Sequence, residues 1–112
     1  MIDAEIAEFS RKLRQMLDQV ETDKELGQDG TRTVTLDQQS VGRLSRMDAL
    51  QQQAMARAQQ SRRDSQANRI RAALARIGQG EYGYCTECGD EIALARLTLD
   101  PTVPTCIACA RG

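Results

Sequence analysis

Four cysteines are the residues of this 112-residue chain whose type and spacing could do chemistry. They stand as Cys85-Thr86-Glu87-Cys88 and Cys106-Ile107-Ala108-Cys109, two C-x2-C pairs separated by seventeen residues. This falls within the spacing window of four-Cys zinc sites. Two residues between ligands let both thiolates of a knuckle reach one ion at ~2.3 Å in tetrahedral geometry. Gly89 follows the first pair, where it permits a tight turn and the approach of backbone N–H groups to sulfur. Arg96 and Arg111 lie in the same segment and would offset the negative charge of a tetrathiolate site. Two disulfides would suit a secreted chain, and the acidic N-terminus MIDAEIAEFSRK is no secretion signal. A redox dithiol wants a surrounding βαβ pattern, and iron–sulfur clusters use other spacings. One structural Zn2+ on Cys85, Cys88, Cys106 and Cys109 is therefore expected. With no His and no open metal position, no enzymatic activity is expected.

The rest of the chain must hold such a site. Phe9, Tyr82 and Tyr84 are its only aromatics, and a core this poor in bulk usually needs a staple such as a metal. Ile2, Ile6, Phe9, Leu13, Met16 and Val20 recur at alternating spacings of four and three, the seam of a helix that needs a partner helix. The spacing predicts a helix over 2–26, broken by the turn chemistry of Gly27-Gln28-Asp29-Gly30. Thr35 or Asp37 is the candidate cap of a second helix over 37–77, rich in Ala, Gln, Arg, Leu and Met. Its apolar residues gather at the two ends, and Gly78 is the expected stop. The fold class expected is mostly α: an antiparallel coiled-coil hairpin over 1–77, then a small four-Cys zinc module over 78–112. The second helix is longer than the first, so the hairpin tip could lie later than Gly30.

Charge is segregated. Residues 1–37 hold 5 basic and 9 acidic residues, net −4; residues 38–77 hold 8 and 2, net +6; residues 78–112 hold 2 and 5, net −3. An acidic helix packing beside a basic one explains this most simply. A docking surface for an acidic partner and direct nucleic-acid binding are the alternatives. Acidic flanks and the lack of interleaved aromatics weigh against nucleic acid. No stretch approaches a membrane span in length, so a cytoplasmic protein is expected.

The finger segment also resembles a known family. Glu81-Tyr82-Gly83-Tyr84-Cys85-Thr86-Glu87-Cys88-Gly89-Asp90-Glu91-Ile92, then Ala95-Arg96-Leu97, Asp100-Pro101-Thr102 and the second Cys pair, are similar to the DksA/TraR zinc finger. The resemblance implies a transcription regulator that binds RNA polymerase without binding DNA. Its hairpin would enter the polymerase secondary channel, with the tip near the active centre. The family's tip pattern, Asp-x-x-Asp-x-Ala, has its nearest counterpart in Ser45-Arg46-Met47-Asp48-Ala49-Leu50, where Asp48 fits the second Asp. Asp37 is the other acidic candidate near the tip. Arg62 and Arg69, on the finger side of the second helix, are candidate polymerase contacts; a solvated helix face is the plain alternative. Asp100 stands where many members carry a basic residue before Pro, and a phosphate site needs cations. Dependence on the nucleotide ppGpp is thus expected to be weak or absent, and the protein to be a monomer. The alternative is a zinc-stabilised coiled-coil interaction module that binds polymerase without strong regulation, or binds another protein.

Overall fold

The computed structural model describes residues 1–31 and 43–112, with side chains described for 1–27 and 46–112. Among the described residues four helices follow in order: α1 (Asp3–Thr31), α2 (Arg43–Gln79), α3 (Leu94–Leu99) and α4 (Ile107–Ala110). Among the described residues the extended structure is a single antiparallel bridge, Tyr84 to Glu91. The molecule is 64 Å long and 30 Å by 20 Å across. No described helix is long and apolar enough to cross a membrane.

α1 begins where its sequence favours helix. The Ile2 N–H donates to Glu5 Oε1 at 3.1 Å, and Asp3 and Glu5 place negative charge on the first turn. The seam then packs as its spacing predicts: Phe9, Leu13 and Val20 are buried, with Met16 and Leu17 half-buried beside them. Ile2, just ahead of the first turn, is exposed. The facing stripe on α2 is Ala67, Ile70 and Ala73, flanked by Leu74 and Ile77. Opposed pairs fix the direction. Glu21 bonds Arg71, Lys24 Nζ lies 2.9 Å from Asp64 Oδ1, and Gly27 lies beneath Arg63. As α1 advances α2 retreats, so the helices are antiparallel. The Glu21–Arg71 pair matches the expected acidic-to-basic packing, while Lys24–Asp64 runs in the opposite sense.

Helix boundaries depart from the sequence reading at two places. α1 runs through Gly27 to Thr31 rather than stopping at 26. A helical Gly costs only about 1 kcal/mol relative to Ala. Here its bare backbone makes room for a neighbour: a Cβ on Gly27 would overlap the Arg63 guanidinium. α2 ends at Gln79, with Gly78 inside the helix. The stop is Gly80, at φ 75°. Its N–H bonds the Ile77 carbonyl at 3.2 Å, and the Glu81 N–H bonds the Arg76 carbonyl at 2.9 Å, which together form a Schellman cap. The candidate caps Thr35 and Asp37, and the expected start at 37, lie outside the described residues. By the pairing above, Thr31 is level with about residue 58, so α2 extends roughly 20 Å beyond it at ~1.5 Å per residue.

Leu13 and Ile70 have no exposed surface. Leu13→Ala is expected to destabilise the zinc-loaded protein by about 3 kcal/mol, within the ~2–5 range for such truncations. Met55→Ala, at a site 57% exposed, is expected to shift stability by less than about 0.5 kcal/mol. Urea unfolding followed by far-ultraviolet circular dichroism checks both.

Candidate metal centre

The Schellman cap turns the chain out of α2 and into the finger. Tyr82 follows, buried against Phe9 with ring centroids 5.8 Å apart, its hydroxyl donating to the Pro101 carbonyl at 2.8 Å. One residue pair later the backbone folds on itself. Ile92 N–H bonds the Gly83 carbonyl and Cys85 N–H bonds the Asp90 carbonyl, both at 2.8 Å. Gly83 (φ 92°) and Gly89 (φ 78°) supply the left-handed turns this hairpin needs. Gly89 N–H donates to the Cys85 carbonyl at 3.0 Å; among the N–H groups aimed at sulfur is that of Glu87, 3.4 Å from Cys85 Sγ.

The second knuckle is braced on the first. Thr86 N–H bonds the Pro104 carbonyl at 2.9 Å, and Arg96 Nε donates to the Thr105 carbonyl at 3.0 Å. Arg96 therefore holds the residue just before Cys106. Asp100 closes the turn between α3 and this knuckle: its Oδ1 accepts the Thr102 N–H at 3.0 Å and the Thr102 hydroxyl at 2.6 Å. From the hairpin, Lys12 Nζ donates to the Thr98 carbonyl at 3.1 Å near the end of α3, and Arg76 reaches the Thr102 carbonyl at 3.4 Å. Leu97, fully buried, fills the space between finger and helices.

These elements bring Cys85, Cys88, Cys106 and Cys109 together. All four sulfurs lie within 4.8 Å of one another, none is in a disulfide, and Cys88 Sγ is 3.7 Å from Cys106 Sγ. A zinc tetrahedron with ~2.3 Å bonds has a sulfur–sulfur edge of ~3.8 Å. The donor set therefore fits one structural zinc held by four thiolates. The thiols are unequal. Burial raises the pKa of Cys85, but the N–H groups of Cys106, Cys88 and Glu87 together outweigh it and bring it down to about 6. At Cys88 the Asp90 N–H lowers the value, yet the Cys85 sulfur, burial and the Cys106 sulfur together hold it above that of an ordinary thiol. The sulfurs of Cys106, Cys85 and Cys88 push Cys109 far up. Such crowding of sulfurs is relieved when a divalent cation sits among them.

The finger, residues 80–112, matches the prokaryotic dksA/traR C4-type zinc finger. The chain carries a DksA-like zinc finger. The RNA polymerase-binding transcription factor DksA of Haemophilus influenzae is 42% identical over 41 residues, which is 37% of this chain and 28% of that protein. The DksA of Caulobacter vibrioides is 51% identical over 35 residues, 31% of this chain and 25% of that protein. The chain thus matches little more than a quarter of the length of these relatives. The fold likeness is wider. The structure of transcription factor DksA2 from Pseudomonas aeruginosa superposes with a TM-score of 0.81, over 99% of this chain and 84% of that one, at 24% identity. The hairpin followed by a DksA-like finger is accordingly a shared fold.

The other candidate residues lie away from the metal centre. Asp48 is exposed near the described start of α2. Arg62 and Arg69 are exposed, two turns apart on one side of the same helix. Asp37 lies outside the described residues. The supporting roles of Tyr82, Arg76, Lys12 and Asp100 are additions made by the structure. Only Asp100 has a local signal, in Asp-Pro-Thr, a run suited to a turn held by its own carboxylate.

Proposed function

We propose that this protein is a DksA-like transcription regulator that binds RNA polymerase through the secondary channel without touching DNA. The observation that carries this reading is the joining of a DksA-like finger to a hairpin whose fold is shared along nearly the whole chain. The relatives that share the finger are named as RNA polymerase-binding factors. In this reading the hairpin, residues 1–77, is the arm, and residues 78–112 are its base. Zinc is structural, because four thiolates leave no coordination position for substrate, and the protein is not an enzyme. It works in the cytoplasm as a monomer. Arg62 and Arg69 face carboxylates of the polymerase, to which a guanidinium fork is suited, and Asp48 acts near the tip. Dependence on ppGpp is weak or absent, since the Asp100 carboxylate is committed to the Thr102 turn on a finger of net −3. A second reading, polymerase binding with little regulation, is favoured by Asp48 being the single carboxylate of the stretch 43–63.

Competition between the zinc-loaded protein and a known secondary-channel factor for core polymerase tests the reading. Competitive binding supports it; no binding at micromolar concentrations overturns it. Pairing Arg62→Ala with Arg69→Ala is expected to weaken binding about tenfold, near the ~1.5 kcal/mol of one charged hydrogen bond. Asp48→Asn is expected to bind normally and lose its effect on transcription. If Asp48→Asn transcribes as the parent does, the second reading replaces the first.

A further inference from the structure

Tyr82 and Tyr84 are two residues apart and have opposite fates. Tyr82 is swallowed by the core, whereas Tyr84 is 44% exposed, and no described residue bonds its hydroxyl. Beside it runs a groove of about 390 Å³ between the start of α1 and the finger hairpin. Its walls include Met1, Glu5, Tyr84, Glu91 and Leu94, over a floor of Ile92. Leu94 is 48% exposed and carries the groove into a shallower apolar trough beside Ala4 and Glu8. A neighbouring hollow on Tyr84 adds Asp3. No Lys or Arg lines any of the three.

The groove combines an aromatic ring, carboxylates on two separate elements and an apolar end. The ring face attracts a cation within ~6 Å of its centre. Carboxylates match the fork of a guanidinium, which also stacks on rings and is less strongly hydrated than an ammonium. Phosphate-bearing partners, whether nucleic acid or anionic lipid, meet a finger of net −3 and are repelled. The volume lies near the small end of ligand pockets, ~300–1,000 Å³, and so takes one or two side chains rather than a whole helix. We propose that the Tyr84 groove docks an arginine followed by an apolar residue, presented by a basic segment of a protein partner. The guanidinium sits on Tyr84 between Glu5 and Glu91, and the apolar residue covers Leu94. The site lies on the finger and does not rest on polymerase binding by the hairpin.

The probe is acetyl-Arg-Leu-amide, titrated into the zinc-loaded full chain and followed by amide chemical shifts. Its citrulline analogue has nearly the same shape without the charge. Saturable shifts are expected at residues 83–84 and 91–94, absent with citrulline. Glu91→Gln is expected to weaken binding at least about threefold, the effect of losing one exposed ion pair, and Tyr84→Leu to weaken it further. Both variants should keep the parent spectrum at Leu13, Ile70 and the cysteines, which separates lost binding from lost fold. No saturable shift, equal binding of citrulline, or unchanged binding by Glu91→Gln overturns the proposal.

Discussion

Chelating the zinc at neutral pH is expected to unfold residues 80–112 and to lower the melting temperature of the hairpin as well. The finger has little else to hold it: its buried apolar side chains are Tyr82, Ile92, Leu97 and Pro101, with Cys85 itself. Small zinc modules draw on the order of 10 kcal/mol from their metal, more than such a core supplies. The hairpin suffers because Tyr82 and Leu97 share one cluster with Phe9, Leu13 and Ile70. Amide chemical-shift dispersion in the finger should collapse on chelation, and Cys106→Ser should reproduce the loss. A finger spectrum that survives metal removal would show that packing alone suffices. The pH dependence has a definite sign. Ligands bind zinc as thiolates; Cys85, at about 6, is already ionised at neutral pH, while Cys88 and Cys109 are raised and hold protons. Zinc uptake therefore releases protons, at least those of Cys88 and Cys109, and affinity falls as pH falls, by at least about a hundredfold per unit.

Tyr82→Ala is expected to destabilise the protein by about 3–5 kcal/mol, the range for removing a buried aromatic. The ring bridges the two parts of the molecule, tilted against Phe9 of α1 and hydrogen-bonded to Pro101 of the finger. Tyr82→Phe keeps the ring and loses the hydroxyl, and should cost about 1 kcal/mol. Denaturant melts of the zinc-loaded variants check the order. Equal losses for both variants would place the energy in the hydroxyl. Burial, with Asp100 acting in the same direction against the opposing Arg76, raises the Tyr82 phenol to about 12. The unfolded chain has it near 10. A raised acid of this kind stabilises the fold fully below about 10, and that stability is lost as pH climbs toward about 12. Alkaline destabilisation should accordingly set in above about 10, and Tyr82→Phe should remove this component.

The finger was legible because its information is local. Each C-x2-C pair sets its own ligand separation, and the glycines needed for tight turns stand beside them. The α1 seam was legible for the same reason, since a period of 3.5 is visible within one helix. What failed was local grammar applied where a partner helix decides. Gly27-Gln28-Asp29-Gly30 has the composition of a turn, but a helical glycine costs only about 1 kcal/mol, and Gly27 lies against Arg63 of the facing helix. Gly78 and Gly80 are equivalent as letters; only the left-handed backbone at Gly80 distinguishes them. Tyr82 against Phe9 joins positions 73 residues apart, which no periodicity within a helix announces. The tip is the extreme case, since its place depends on the register of one helix against the other.

Among the described residues, buried apolar side chains occupy 9–20 of α1, 67–73 of α2 and 82–101 of the finger, while 46–60 of α2 bury Gln53 alone. Mechanically the described part is a lever mounted at the zinc end. A transverse load applied near residue 46 is carried as bending along α2, and the bending moment is greatest at the mounting, where Leu13, Ile70 and Leu97 are fully buried. Backbone amides should exchange with solvent in a gradient along α2, fastest near residues 46–55 and slowest near 70. A partner that grips α2 near residues 46–55 thus meets a lever whose mounting stays fixed.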